Sequence, residues 1–158
     1  MRRSDREVKE FDEIVAILGR CSVVRLALCD GDRPYVVPLN FGYRAENGRL
    51  TLYFHSAPQG RKLDLIRKNP NACFEADGSF RLATGPDACD WSADYESVVG
   101  AGRASVLEDP EEIRGALDLI MKKYGFPGKP EYRPEYLLHM AVIRLDVTAL
   151  TGKRHRKG

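Results

Sequence analysis

The chain has 158 residues, 43% of them hydrophobic and 30% charged, so it is long enough to enclose a core and has the composition of a globular protein. Its net charge of +2 gives no electrostatic reason to expect a nucleic-acid partner. No apolar run approaches the ~20 residues that cross a bilayer. Residues 1–11 lack the apolar segment of a signal peptide. We therefore expect a single cytoplasmic domain, without a membrane or nucleic-acid partner.

The cysteines and the basic end of the chain suggest no further function. Cys21, Cys29, Cys73 and Cys89 are scattered, whereas zinc ligands usually come in closely spaced pairs. We expect no metal site, and we expect the three cysteines in or beside strand-like runs to be buried thiols. The basic segment 153–157 is more typical of a frayed, solvated terminus than of a nucleic-acid contact.

The first predicted element is an amphipathic helix of three or four turns. Ser4 and Glu7 have the spacing of a capping box, in which each side chain bonds a free backbone N–H of the first turn. Apolar residues then recur at helical spacing from Val8 to Leu18. Gly19 is a plausible end for this helix.

Three strands are predicted next, over residues 22–29, 34–43 and 50–55. Pro38 lies inside the second run, where it cannot donate a backbone hydrogen bond, so it predicts an edge strand or a bulge. An Asn47-Gly48 turn separates the second and third strands, and Asn-Gly is a strong hairpin signal.

The rest of the chain adds two helices and three strands. In chain order these are a helix over 61–68, a strand over 72–76, a loop or short hairpin over 78–94, a long strand over about 95–107, a helix that begins at Asp109-Pro110, a connection over 126–136 and a strand over 139–150. Antiparallel strands joined by hairpins, with few helices, are typical of a small β-barrel with packing helices. We therefore expect a mainly β (α+β) fold.

The third strand carries a histidine where its polar face ends. Side chains alternate between the two faces of a strand, so Leu50, Leu52 and Phe54 share one face and Thr51, Tyr53 and His55 share the other. Spacing alone does not separate a histidine bonded to a loop from one that donates to a phosphate or ring carbonyl, or transfers a proton.

A basic helix start follows this histidine within one short segment. A helix N-terminus exposes unpaired N–H groups, and Gly60, Arg61 and Lys62 would add close backbone approach and positive charge there. Taken alone, these residues are more typical of an ordinary basic surface helix than of an anion site. The hydroxyl of Ser56 nearby adds to the case for a phosphate.

The segment Val37-Pro38-Leu39-Asn40 offers polar groups of a different kind. Pro38 interrupts the hydrogen-bond ladder, which leaves neighbouring backbone groups free to pair with the edge of a heteroaromatic ring. The Asn40 amide supplies both a donor and an acceptor. The alternative is an edge-strand bulge with an exposed asparagine.

These blocks together resemble the FMN-binding split barrels related to pyridoxamine 5′-phosphate oxidase and, more narrowly, the 5-nitroimidazole resistance (Nim) proteins. The resemblance covers nearly the whole chain, and its most specific part is the His-Ser-Ala block. The principal matching residues are Gly31, Pro34, Val36, Pro38, Phe41, the run 52–57, Gly60, Lys62, Asn69 and Pro70.

The resemblance implies a six-stranded antiparallel split β-barrel with flanking helices, assembled as a homodimer with FMN at the subunit interface. It implies that Ser56, Gly60, Arg61 and Lys62 meet the FMN phosphate and that His55 lies close to the flavin. It places the isoalloxazine edge against the backbone of Val37, Pro38, Leu39 and Asn40. It also implies that the second subunit contributes residues 91–97, including Ser97.

The activity implied is that of an FMN-dependent oxidoreductase that reduces a small aromatic or nitroaromatic substrate, with His55 as a proton donor or a flavin-orienting group. The C-terminal residues do not match the Trp and Arg placement with which the oxidases bind pyridoxal phosphate. The alternative class is a module that binds flavin, haem or the deazaflavin F420 without turnover.

Overall fold

Eight antiparallel strands form one sheet in the computed structural model, which describes residues 3–156. The strands are β1 Glu7–Val8, β2 Val24–Asp30, β3 Arg33–Leu39, β4 Gly42–Glu46, β5 Arg49–Ser56, β6 Asn71–Ala83, β7 Ser92–Val106 and β8 Ala141–His155. The helices are α1 Phe11–Arg20, α2 Arg61–Lys68, α3 Pro110–Lys123 and α4 Pro134–Leu137. The mainly β class is confirmed, with eight strands where six were expected.

The strand order is β3-β2-β6-β7-β8-β5-β4, and β1 pairs separately with β8. β3 and β4 are thus the two ends of the order, and the sheet stays open between them. β6, β7 and β8 are the longest strands and form its middle. No helix in the part of the chain that the structure describes is long and apolar enough to cross a membrane.

The inner face of the sheet encloses the main core. Alternation along each strand sends one set of side chains inward, and the largest that are fully buried on the strands include Leu26, Leu28, Leu52, Phe54, Phe74 and Leu145. The apolar sides of α1 and α2 complete this core with Ile17, Leu18, Leu63 and Ile66. Burying this apolar surface is the main term that favours folding.

A smaller core lies on the opposite side of β5 and β8. Tyr53 and Val142 point outward from these strands, and α3 covers them with Ala116, Leu117 and Ile120. Asp109 begins α3 as predicted, since its side chain accepts a 2.8 Å hydrogen bond from the Glu111 N–H.

The outer face of β2, β3, β6 and β7 remains exposed. Val36 and Val99 are 56% and 47% exposed there, and the thiols of Cys29 and Cys73 are exposed on the same strands. Of the four cysteines only Cys21 is buried, so the prediction of three buried thiols is wrong. Lying in a strand did not decide burial, because the residues at outward positions of the strand face solvent.

The amino-terminal helix is shorter than predicted. Ser4–Arg6 is a single 3-10 turn, and α1 begins only at Phe11 and continues through Gly19. Val8, which matches the helical period, instead lies in β1 opposite Gly152 of β8. Pairing with a distant strand therefore overrode the local capping-box and helix signals.

The run predicted over 34–43 divides into two strands. β3 ends at Leu39, and β4 begins at Gly42. Phe41 is fully buried at the corner between them, and a side chain on Gly42 would lie 2.5 Å from the Ile120 nitrogen of α3. This close packing fixes the corner at which the chain passes from β3, at one end of the strand order, to β4, at the other end. β3 is an edge strand, as Pro38 predicted.

The segment predicted as a loop or short hairpin is a hairpin built from the ends of β6 and β7. The two strands stay paired to Ala83 and Ser92, with a register shift between Gly78 and Arg81. Phe80, Leu82 and Trp91 are exposed along this hairpin.

The basic end of the chain is not a frayed terminus in the residues that the structure describes. Residues 153–155 are the last of β8. Arg154 and Arg156 both donate to the carboxylate of Glu96, at 2.6 and 3.3 Å. Lys157 lies outside the described residues. The sequence did not reveal that Glu96 of β7 is buried. Its inward-facing carboxylate attracts these two arginines.

Candidate functional site

His55 lies near the end of β5, where its side chain is exposed. Its orientation follows from its neighbours: Leu52 and Phe54 are fully buried on the inner face, so the residue after Phe54 points outward. In the sheet His55 stands opposite Val142 of β8. The imidazole is therefore held on rigid backbone and faces solvent.

Ser56 ends β5 and lies opposite Ala141. Its hydroxyl donates a 2.8 Å hydrogen bond to the carbonyl of its neighbour Ala57. A hydroxyl rotates easily and can still accept hydrogen bonds, so this local bond leaves the side chain able to bind a ligand.

The N-terminus of α2 has the features of an anion site. Gly60 occupies the capping position with φ +140°, and no side-chain hydrogen bond caps the helix. The N–H groups of Leu63 and Asp64 bond the Gly60 carbonyl at 2.9 and 3.3 Å. A side chain on Gly60 would meet no atom within 4 Å, so the space in front of the helix is open. The helix dipole and first-turn N–H groups favour an anion there.

Arg61 is directed toward the β2–β3 turn. Its Nη2 donates a 2.6 Å hydrogen bond to Asp30 Oδ2, and its guanidinium lies 4.9 Å from the centre of the Tyr35 ring. Sequence reasoning missed both partners, since Asp30 read only as a turn residue. Lys62 follows on the helix, half-buried.

Val37, Pro38, Leu39 and Asn40 alternate as the strand pattern requires. Val37 and Leu39 pack against the main core, while Pro38 and Asn40 are exposed. β3 is hydrogen-bonded to β2 on one side and is the last strand of the sheet order on the other. The backbone along that outer edge is available to a ligand.

Asn40 and His55 leave the same end of the β4–β5 pair. The two strands are antiparallel, and Gly42 stands opposite Tyr53. Residues that precede Gly42 and residues that follow Tyr53 therefore extend in the same direction. The structure thus brings together the end of β3 and the end of β5, which are separated in sequence by the whole β4–β5 hairpin.

Ser97 lies far from these groups within one chain. It stands on β7 opposite Lys153 of β8, whereas His55 stands opposite Val142 near the other end of β8. Eleven residues of strand between these positions correspond to roughly 35 Å. A single chain does not unite Ser97 with the His55 segment.

Known protein sequences match most of this chain. The sequence profile described as pyridoxamine 5′-phosphate oxidase matches residues 10–154. A protein of uncharacterized function from Rhizobium meliloti is 30% identical over 100 residues, which are 63% of this chain and 56% of that protein. The matched region therefore spans little more than half the length of that relative.

Two solved structures share the architecture. A protein provisionally described as a 5-nitroimidazole antibiotic resistance protein from Bacteroides thetaiotaomicron is 31% identical, with a TM-score of 0.81 over 94% of this chain and 86% of that one. An FAD- and haem-binding protein from Mycobacterium smegmatis has a TM-score of 0.83 at 16% identity, over 96% of this chain and 74% of that one, and so shows likeness of fold alone. The chain belongs to the pyridoxamine 5′-phosphate oxidase family, as its resemblance to the FMN-binding split barrels indicated.

Proposed function

We propose that this protein is an FMN-dependent oxidoreductase that reduces a small aromatic or nitroaromatic substrate. The observation that carries the proposal is the segment from His55 to Lys62, which joins an exposed imidazole, a hydroxyl and an uncapped, basic helix N-terminus within eight residues. The relative from Bacteroides thetaiotaomicron, provisionally described as a nitroimidazole resistance protein, supports the substrate class.

The phosphate end of FMN fits the N-terminus of α2. Lys62 and the first-turn N–H groups would hold the phosphate, and the Ser56 hydroxyl would donate to it. The open space in front of Gly60 leaves room for this group. Arg61 would join if the phosphate displaced Asp30, since both side chains of that ion pair are substantially exposed.

The ring end fits the edge of β3. Backbone N–H and C=O groups of residues 37–40 would pair with the polar edge of the isoalloxazine, and the Asn40 amide can act as donor or acceptor. His55 lies at the same end of the β4–β5 pair as Asn40, so it would stand beside the ring and not at the phosphate alone.

A homodimer completes this site. The exposed outer face carries one row of small or apolar residues in register across five strands, namely Val36, Ala27, Cys73, Ala101 and Ala149. The same face of a second copy would pack against this row, since symmetric dimers bury one shared patch on each subunit. Ser97 stands eleven strand positions along β8 from the level of its own His55, a length of roughly 35 Å along the strand, so the Ser97 of a second subunit would be the one to reach the flavin.

The chemistry divides between the cofactor and the chain. FMN supplies electron transfer between a reduced donor and the substrate. Lys62, with Ser56, anchors the phosphate, and the β3 edge orients the ring. His55 donates a proton to the reduced product from its exposed imidazole, or holds the ring in place.

A flavin- or haem-binding module without turnover is the second candidate. The exposed, strand-anchored imidazole of His55 would bind haem iron in such a module, as it would donate a proton in the oxidoreductase. The same geometry could hold the deazaflavin F420.

The absorbance spectrum and mass of the co-purifying cofactor test the proposal, followed by reduction of a nitroimidazole under anaerobic conditions. FMN is expected, with turnover that falls in His55→Gln while FMN affinity is retained. A sharp Soret band that disappears in His55→Ala would support the haem module instead. A protein that takes up no FMN on reconstitution would remove the proposal.

A further inference from the structure

A cleft of about 500 Å³ lies between α3 and the outer face of β4, β5 and β8. It reaches the β4–β5 turn at Asn47, whereas His55 lies at the opposite end of that hairpin. Among residues 3–156, neither His55 nor any residue of α2, β3 or the segment 91–97 lines the cleft. The cleft is therefore separate from the groups assigned to the flavin and from the row of residues proposed for the dimer face.

The two walls of this cleft carry charges of opposite sign. The strand wall holds Arg44, Arg49 and Arg144. The helix wall holds Glu111 and Glu112, from the first turn of α3. Arg49 and Glu111 are exposed, and their side chains form no ion pair with any residue that the structure describes. Each wall thus offers a charged group that is free to bind a ligand.

The remaining charges leave the cleft open between its walls. Glu46 is the one acid that lines the strand wall within residues 3–156, and its carboxylate lies 3.9 Å from Arg44 Nε. Arg144 donates from Nε to Asp146 at 2.9 Å. Its Nη1 lies 3.8 Å from Glu112 Oε1, which is too long for a hydrogen bond. No shorter ion pair crosses the cleft in the described part of the chain, so the opposite charges remain unbridged.

The floor of the cleft is apolar except for one hydroxyl. Leu107 and Ala116 are buried there, and Tyr53 is 8% exposed. The Tyr53 hydroxyl has no hydrogen-bond partner among residues 3–156 and is not sealed from solvent, so it opens into the cleft. Tyr53 stands opposite Arg144 in the sheet, which places a neutral donor beside a charged one. A polar group that is nearly buried and yet unpaired points to a ligand that pairs with it.

Gly115 lies inside α3 and lines the same cleft. Glycine destabilises the interior of a helix relative to alanine, so its presence there calls for a reason. A side chain at this position would meet no atom within 4 Å, so packing within the chain does not require glycine. The missing side chain instead leaves room for a ligand to approach the backbone of the helix.

We propose that this cleft binds a small zwitterion, the chemical class of a free α-amino acid with an apolar side chain. The ligand carboxylate accepts hydrogen bonds from the Tyr53 hydroxyl and from Arg144 and Arg49. The ligand ammonium group donates to Glu111 and Glu112. Its side chain lies on the apolar floor. A ligand with a single charge would pair with one wall and leave the charges of the other wall unbridged.

Binding of L-leucine, followed by NMR from the shifts of the α3 amide resonances, tests the proposal. Two blocked forms are the matched probes, because N-acetyl-L-leucine lacks the ammonium group and L-leucinamide lacks the carboxylate. We expect saturable binding of L-leucine, and binding about tenfold weaker for each blocked form, as for loss of one charged hydrogen bond. Absence of saturable L-leucine binding, or a blocked form that binds as tightly as L-leucine, would overturn the proposal.

Three variants locate the ligand in the cleft. Tyr53→Phe removes only the hydroxyl and should weaken L-leucine binding by about threefold to tenfold, and Glu112→Gln should weaken it about tenfold. Gly115→Ala should weaken binding without lowering the urea midpoint, because alanine favours a helix more than glycine does. Lys122→Gln is the control, since Lys122 is exposed in the last turn of α3 and does not line the cleft. If all three variants bind L-leucine as the wild type does, the proposal fails.

Discussion

Arg61 and Asp30 form an ion pair with a distance of 2.6 Å between Nη2 and Oδ2 across 31 residues of sequence. Both side chains are exposed, at 57% and 40%, so solvent screens the pair and its net contribution is about 0–1 kcal/mol. A phosphate at the α2 N-terminus would compete with Asp30 for the same guanidinium. The structure thus shows an arginine with a weak partner that can be exchanged.

Removing Asp30 should strengthen FMN binding. In Asp30→Asn the carboxylate no longer competes with phosphate for Arg61, and its repulsion of the phosphate is lost. We expect FMN affinity to rise by about twofold to fivefold, which corresponds to the 0.4–1 kcal/mol of an exposed charge pair. Fluorescence quenching of FMN on titration measures this, with Asp32→Asn in the same turn as control. A weaker affinity in Asp30→Asn would show that Asp30 positions Arg61 for the ligand.

Removing the Lys62 ammonium should weaken FMN binding through the phosphate. Lys62→Ala deletes one charged hydrogen bond, worth about 1.5–3 kcal/mol, so the dissociation constant should rise tenfold or more. Riboflavin, which lacks the phosphate, should bind the variant and the wild type equally. Lys68→Ala, at the opposite end of the same helix, is the control. Equal FMN occupancy in Lys62→Ala and wild type would contradict the phosphate assignment.

The Glu96 carboxylate should stabilise the fold in a pH-dependent way. Burial raises its pKa, but hydrogen bonds from Arg20, Arg154 and Ser79 lower it more, to about 2 from an ordinary 4.5. A lowered folded-state pKa stabilises the protein fully above pH 4.5, and this stabilisation is lost as the pH falls toward 2.

The variant that tests this is Glu96→Gln. We expect its free energy of unfolding at pH 7 to fall by about 2–3 kcal/mol, measured by urea denaturation. The difference from wild type should shrink as the pH is lowered from 4.5 toward 2, because Glu96 then becomes neutral in both proteins. Glu75→Gln, which alters an exposed pair with Arg25, should cost much less. A constant difference across this pH range would contradict the assignment.

The exposed outer face should mediate dimerisation. Val99 is 47% exposed on β7, so Val99→Glu can be accommodated by the monomer fold. In a dimer it would bury two like charges, and the desolvation cost of several kcal/mol per ion should shift the protein to monomer. Light scattering after size exclusion measures the mass. Ala16→Glu, on the exposed side of α1, should leave it unchanged. A monomeric wild type would remove the dimer proposal.

Local signals in the sequence were sufficient to predict several elements of the fold. The helix over 61–68 has the predicted bounds, because Gly60 precedes it and Asn69-Pro70 stops it. The Asp109 cap of α3 is likewise a short-range interaction. Alternation on β5 correctly placed Leu52 and Phe54 inside, which by itself put His55 on the outer face. The match to the pyridoxamine 5′-phosphate oxidase family confirmed the resemblance that the motifs had indicated.

Tertiary structure alone decided the contacts between segments distant in sequence. Val8 lies in a strand because it pairs with β8, and Arg154 and Arg156 bond the carboxylate of Glu96. The Arg61–Asp30 ion pair also joins two segments that are distant in sequence. The sequence by itself determined what depends on neighbours within a turn or a strand: helix ends, inward and outward faces, and the basic start of α2. The structure decided which charges meet, because ion pairs and sheet pairing depend on proximity in space, and residue spacing along the chain does not encode it.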